Sequence, residues 1–200
     1  MGSADESDFN FAEMSTSGLK VLENGLPHVP RQFNSEMAIP IACWEGPKWA
    51  AVLFLSYAKN DDGHATPRAI RGIFRRDETN WVPLEHWSGS GWSHDPLVDA
   101  DSISDLGGRC IYVSGGSYGE PPLESHPAIV MNGRHSPVVK TIAVTQNGLT
   151  QSVAANGLWG AWIVSLTEWA PYKVAALDKD GSELQIIEGP TPLPSGARME

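Results

Sequence analysis

From residue 37 to residue 188 the chain alternates short apolar runs with turn residues, and it scarcely repeats at helical spacing. Trp49-Ala-Ala-Val-Leu-Phe-Leu-Ser-Tyr57 is almost continuously apolar, which predicts a strand buried on both faces. Asn60-Asp-Asp-Gly63 predicts a turn after it. Ala69 to Arg75 and Asn80 to Leu84 read as the next two strands, and Pro83 places the second at an edge or bulge because it cannot donate to a ladder. Arg109 to Ser114 reads as another strand. The last third carries the clearest pattern. Val138 to Gln146 sets Val139, Thr141, Ala143 and Thr145 against Val138, Ile142 and Val144. It runs into Asn147-Gly148, whose residues tolerate the positive φ of a type I′ hairpin turn, and Leu149 to Ala154 returns. Trp159 to Leu166 follows, and Tyr172–Leu177 and Glu183–Ile187 form a second hairpin about Asp178-Lys-Asp-Gly181.

These elements predict an all-β domain over residues 37–188. The expected architecture is an antiparallel two-sheet sandwich, immunoglobulin-like or a related Greek key, with little helix. With 20 Gly and 15 Pro, only short helical turns are expected, for instance across residues 96–106. Residues 1–36 read as an acidic, partly disordered arm with one β-like run at Leu19–Glu23, and residues 189–200 as a Pro-rich tail.

Composition narrows the classes of partner. The 200 residues carry a formal charge of −10, which argues against nucleic acid or an anionic membrane as the main partner. No apolar run approaches the ~20 residues of a membrane helix, and no signal peptide is recognisable, so a cytoplasmic protein is expected. Arg68, Arg71, Arg75 and Arg76 are the one basic cluster, and strand alternation splits it across two faces. Cys43 and Cys110 lack the flanking Trp and Tyr spacing of an immunoglobulin disulfide and are expected to be free, buried thiols.

Three segments offer chemistry. Gly115-Gly-Ser-Tyr-Gly119 fits G-x-S-x-G and resembles the nucleophile elbow of α/β-hydrolases, a likeness that would make Ser117 a nucleophile. That role needs a sharp strand-to-helix turn. Glu120-Pro-Pro does not supply the helix, and His126 and His135 follow too closely, so a glycine-rich β-turn is expected instead. The second segment, residues 81–95, brings Trp81, Trp87 and Trp92 beside Ser, Gly, His94 and Asp95. Flat aromatic faces next to hydroxyls and a carboxylate suit a glycan or a protein partner; the competing reading is that the indoles cap the core. Third, His86, His94, Asp95, Asp99 and Asp101 are metal-ligand types. Ser104 and Cys110 stand where a calcium loop starting at Asp99 needs Gly and Glu, and no zinc spacing is present.

Nucleotide-binding glycine motifs are absent from the sequence, and neither a cofactor nor a metal is expected. The leading expectation is a non-catalytic binding or assembly module, acting through the Trp-rich loop or an exposed sheet edge. One alternative is a hydrolase using Ser117 or a metal at His86, His94 and Asp95. Another is a structural subunit that assembles with itself.

Overall fold

The computed structural model describes residues 10–28, 36, 38–59, 62–84, 88–92, 95, 106–118, 129–166 and 170–189. The chain is mostly β. Its strands form three antiparallel sheets, where two were expected, and a helix covers the first of them.

The helix, α1 (Phe11–Asn24), occupies the segment expected to be an arm with a β-like run at Leu19–Glu23. Its start is fixed by a reciprocal cap. Asn10 Oδ1 accepts the Glu13 backbone N–H at 3.1 Å, and Asn10 Nδ2 donates back to Glu13 Oε2 at 3.2 Å. Met14, Gly18 and Val21 recur at helical spacing and are buried, with Leu19 and Leu22 packed beside them. Gly25, at φ 81°, closes the last turn by donating its N–H to the Val21 carbonyl at 2.8 Å.

The helix-side sheet contains β1 (Ile39–Glu45), β2 (Trp49–Lys59), β3 (Ala65–Asp77), β4 (Asn80–Pro83) and β5 (Ser88–Gly91). They lie in the order β1-β2-β3-β4, and β5 pairs with β3 as well. β4 takes the Phe74–Asp77 end of β3 and β5 takes Arg68–Arg71, so both run along one edge. As Pro83 required, β4 is an outer strand.

The middle sheet contains β6 (Ile111–Tyr118), β7 (Ile129–His135) and β10 (Ala161–Leu166), in the order β10-β7-β6. The third, hairpin sheet contains β8 (Thr141–Gln146), β9 (Leu149–Ala154), β11 (Tyr172–Leu177) and β12 (Glu183–Gly189), in the order β12-β11-β8-β9. Asn147 and Gly148, at φ 50° and 75°, make the β8–β9 turn as the sequence requires.

Strand alternation stacks these parts. From β2, Ala50, Val52 and Phe54 meet α1 together with Ile70 and Phe74 of β3. The opposite residues Trp49, Ala51, Leu53 and Leu55 meet Val130 of β7 and Ala161 and Ile163 of β10. The other faces of those two strands, through Ile129, Met131, Trp162, Val164 and Leu166, pack on Ile142, Val144, Val174 and Ala176 of the hairpin sheet. The order is therefore helix, sheet, sheet, sheet. β2, β7 and β10 lie between layers and are buried along their described lengths. One polar link crosses the first sheet-to-sheet layer: the Arg71 guanidinium, 3% exposed, donates to Asn132 Oδ1 at 2.7 Å.

Residues 115–118, expected in a glycine-rich turn, belong to β6. A register shift between Val113 and Gly115 makes Ser114 the extra residue, and Gly115 and Gly116 pair with Asn132 and Met131 within the strand rather than forming a turn. Cys43 and Cys110 are free, as expected, but half-buried rather than buried, each against a different cluster. Burial, with a smaller contribution from Glu45, pushes the Cys43 thiol up and away from thiolate chemistry. Among the described residues no helix is long and apolar enough to cross a membrane. Residues 96–105 and 190–200 lie outside the described residues.

Candidate binding cleft beside the tryptophan-rich strand

The segment expected to be a Trp-rich loop forms most of the outer edge of the helix-side sheet. Hydrogen bonds from Leu84 N to the Ile73 carbonyl (2.9 Å) and from Trp92 N to the Pro67 carbonyl (3.1 Å) bind it along β3. That geometry separates the tryptophans. Trp81, half-buried on β4, joins the apolar cluster under α1, with the Arg76 guanidinium carbon 5.0 Å from its ring centroid. Trp92, just past β5, is 5% exposed and belongs to the cluster between the helix-side and middle sheets. The two indoles therefore serve opposite faces of one sheet and do not form a common stacking platform. Trp87 and His94 lie outside the described residues.

Asp95 is half-buried and accepts a 2.6 Å hydrogen bond from the Tyr57 hydroxyl at the far end of β2. Tyr57 shares the Trp92 cluster, so this bond fastens the segment after β5 to the core. The short bond suits Asp95 to anchoring the segment.

Next to Trp92 lies an open cleft of about 510 Å³, lined by Thr66, Pro67, Arg68, Gly89, Gly91 and Trp92. Register explains its floor. Gly91 pairs with Arg68 and Gly89 with Ile70, so each glycine shares a face with its partner across the strands. A Cβ at Gly91 would meet nothing within 4 Å, and one at Gly89 would make only ordinary contacts with the Ala69 carbonyl and Ile70. The missing side chains leave bare backbone beside the half-buried Arg68 guanidinium. Such a surface offers peptide groups and the cation of Arg68 to a ligand that approaches closely. The volume falls within the ~300–1,000 Å³ range of small-molecule sites.

The alternative chemistries find less. Ser117 pairs with Val130 inside β6, whereas a nucleophile elbow requires a strand-to-helix turn. His135 stands across from Ile111, five residues along β7 from Val130, which puts its backbone about 17 Å along the sheet from Ser117 at ~3.3 Å per residue. His126 and His86 lie outside the described residues, as do Asp99 and Asp101. Among the described residues no group of three His, Cys, Asp or Glu side chains gathers to hold a metal.

A set of buried polar residues escaped the sequence reading: Arg71, Asn132, Arg134 and His135. Burial pushes both guanidinium groups down from their usual range and does the same to the His135 imidazole. His135 Nδ1 donates to the Ser136 carbonyl at 2.9 Å. No strand is expected from the sequence over residues 129–135, where Asn132, Arg134 and His135 break the apolar run of a fully buried strand.

No family model, no curated protein and no solved structure matches the chain.

Proposed function

We propose that this chain is a non-catalytic binding module whose ligand enters the cleft between the first half of β3 and β5. The supporting observation is the cleft itself, where two glycines on one face of an edge strand expose backbone beside Arg68. Nothing crowds the Gly91 position, so a side chain would fit there without harm to the fold. An open backbone floor and one cation suit a hydroxyl- or carboxylate-bearing partner, either a glycan or an extended protein segment. The formal charge of −10 weighs against nucleic acid. Of the expected site residues, Trp92 lines the cleft, Asp95 anchors the segment after it, and Trp81 serves the core on the other face.

A thermal-shift panel of glycans and peptides tests the reading. A ligand held at 100 times its dissociation constant stabilises by about 2.7 kcal/mol, roughly 5–10 °C for a domain of this size. Gly91→Leu fills the cleft, and Arg68→Ala removes its cation. Both variants are expected to keep the wild-type melting temperature and to lose at least about tenfold in affinity, or 1.4 kcal/mol. A ligand whose affinity survives both substitutions binds elsewhere, and the cleft reading fails.

A further inference from the structure

We propose that His135 is an acid latch between the middle and hairpin sheets: when its ring takes a proton, the corner that joins β7 to β8 opens and the hairpin sheet loosens, while the helix-side sheet stays closed. His135 is not among the residues that line the β5 cleft, and the inference stands or falls independently of that reading.

His135 ends β7, and strand alternation places it on the same face as Ile129 and Met131, toward the hairpin sheet. Its ring is buried. Nδ1 donates to the Ser136 carbonyl at 2.9 Å, and Nε2 has no hydrogen-bond partner. A carbonyl can only accept, so this is a neutral imidazole with its proton on Nδ1. The neighbouring Ser136 hydroxyl, also buried, has no partner either. Two adjacent buried polar atoms left unbonded are unusual in a folded interior and leave this corner less firmly held than the strands around it.

The corner is also where the two sheets are tied. The Ser136 carbonyl that holds the ring accepts the Val139 N–H at 3.1 Å and so closes the turn into β8. The Ser136 N–H donates to the Cys110 carbonyl at 2.8 Å. Cys110 and Ile111 in turn donate their N–H groups to Gln185 Oε1 of β12, at 2.7 and 3.1 Å, and Ile111 stands directly across from His135. One chain of contacts thus runs from the ring through the turn and the start of β6 to the hairpin sheet.

The surroundings favour the neutral ring. Arg134 precedes it on β7, and Lys140 lies just before β8 with its Nζ on the Pro137 carbonyl at 2.9 Å; both cations oppose a proton on the ring, in addition to burial. At the start of β6 stand Arg109 and the Cys110 thiol. β10 presents Trp162, whose Nε1 donates to the Arg134 carbonyl at 3.3 Å. β12 presents the neutral Gln185, and its Glu183 is engaged by Lys173 at 3.0 Å. Protonated in place, the ring would add a cation and a donor without an acceptor to an apolar layer. Swinging out to water relieves that cost and gives up the bond to the Ser136 carbonyl, which leaves the turn unsupported. The helix-side sheet is held by a different layer, through the Leu53 and Ile163 cluster and the Arg71–Asn132 bond, and His135 belongs to neither.

Amide hydrogen exchange of the full chain, read as protection factors at about pH 7.5 and about pH 5.5, brackets the ordinary imidazole value of about 6.5. The open form takes the proton that the closed form refuses, so opening becomes up to about tenfold more frequent per pH unit below that value. Protection is expected to fall about tenfold at Cys110, Ile111, Ser136 and Val139, and to hold at Ala51 to Leu55 of β2. Binding of the dye ANS should rise in step, as Ile142, Val144 and Trp162 are uncovered. His135→Gln and His135→Phe carry no titrating group, and each should keep its protection at both pH values. A loss spread evenly over all three sheets overturns the proposal. So does a loss that persists in either variant, or wild-type protection that is the same at both pH values.

Discussion

Replacing Gly18 with valine attacks the contact that seats α1 on the helix-side sheet. A Cβ at Gly18 would collide with the Phe74 ring, and that ring is fully buried in the cluster that also holds Met14, Val21 and Phe54. Two effects oppose. In a helix interior the substitution removes a glycine penalty of about 1 kcal/mol, less the ~0.5 kcal/mol that valine itself costs. Against this stands overpacking, typically 1–3 kcal/mol and toward the upper end where a buried aromatic ring has nowhere to go. If α1 lifts instead, the apolar side chains it covers are exposed at about 1.5–3 kcal/mol each, so yielding costs more than strain. The net expectation is a loss of about 2 kcal/mol, which lowers the melting temperature by roughly 4–8 °C at ~2–4 °C per kcal/mol. Urea unfolding supplies the free energy. Thr16→Ala, on the exposed side of the same helix, serves as the control and should change stability by only a few tenths of a kcal/mol. A Gly18→Val protein as stable as the wild type would refute the packing of α1 against Phe74.

Asn132→Ala removes the acceptor of a buried cationic hydrogen bond between two sheets and leaves a small void; about 2–4 kcal/mol should be lost in urea unfolding. His135 sets a pH dependence. Burial holds its folded-state pKa below the unfolded value of 6.5, so below that pH the unfolded chain takes up a proton that the folded one refuses. Stability should fall as pH drops through about 6.5 toward the folded pKa, with a slope approaching 1.4 kcal/mol per pH unit. His135→Gln should flatten this segment of the stability profile, and a variant curve parallel to the wild type would contradict the assignment.

Much of the fold was legible where local pattern decides it. Asn147-Gly148 set one hairpin and Asp178 to Gly181 the other, because turn chemistry and strand register are local properties. Trp49 to Tyr57 also announced burial on both faces, and that run implied more than a two-sheet sandwich supplies: an inner strand needs a cover on each side. The second cover is α1. Its capping pair Asn10 and Glu13 stood in the sequence, but Gly18 interrupts the apolar stripe where Phe74 takes the room. A count of hydrophobic positions scores that glycine as a break, although it marks the closest contact. β7 stayed hidden for another reason. Asn132 lies in the core with Arg71 arriving from a strand 61 residues earlier, and such pairings leave no local trace. The tryptophans of residues 81–92 stand out in the sequence. Their division between two faces depends on how β4 and β5 successively pair with β3, which spacing alone does not encode.

The central claim is that the cleft beside β5 takes the ligand. Amide-resolved NMR titration with the tightest compound from the thermal-shift panel tests it most directly. The account predicts chemical-shift changes confined to residues 66–68 and 89–92, and their disappearance in Gly91→Leu. Shifts that map instead to the hairpin sheet or to the loops around β6, leaving residues 89–92 still, would contradict it.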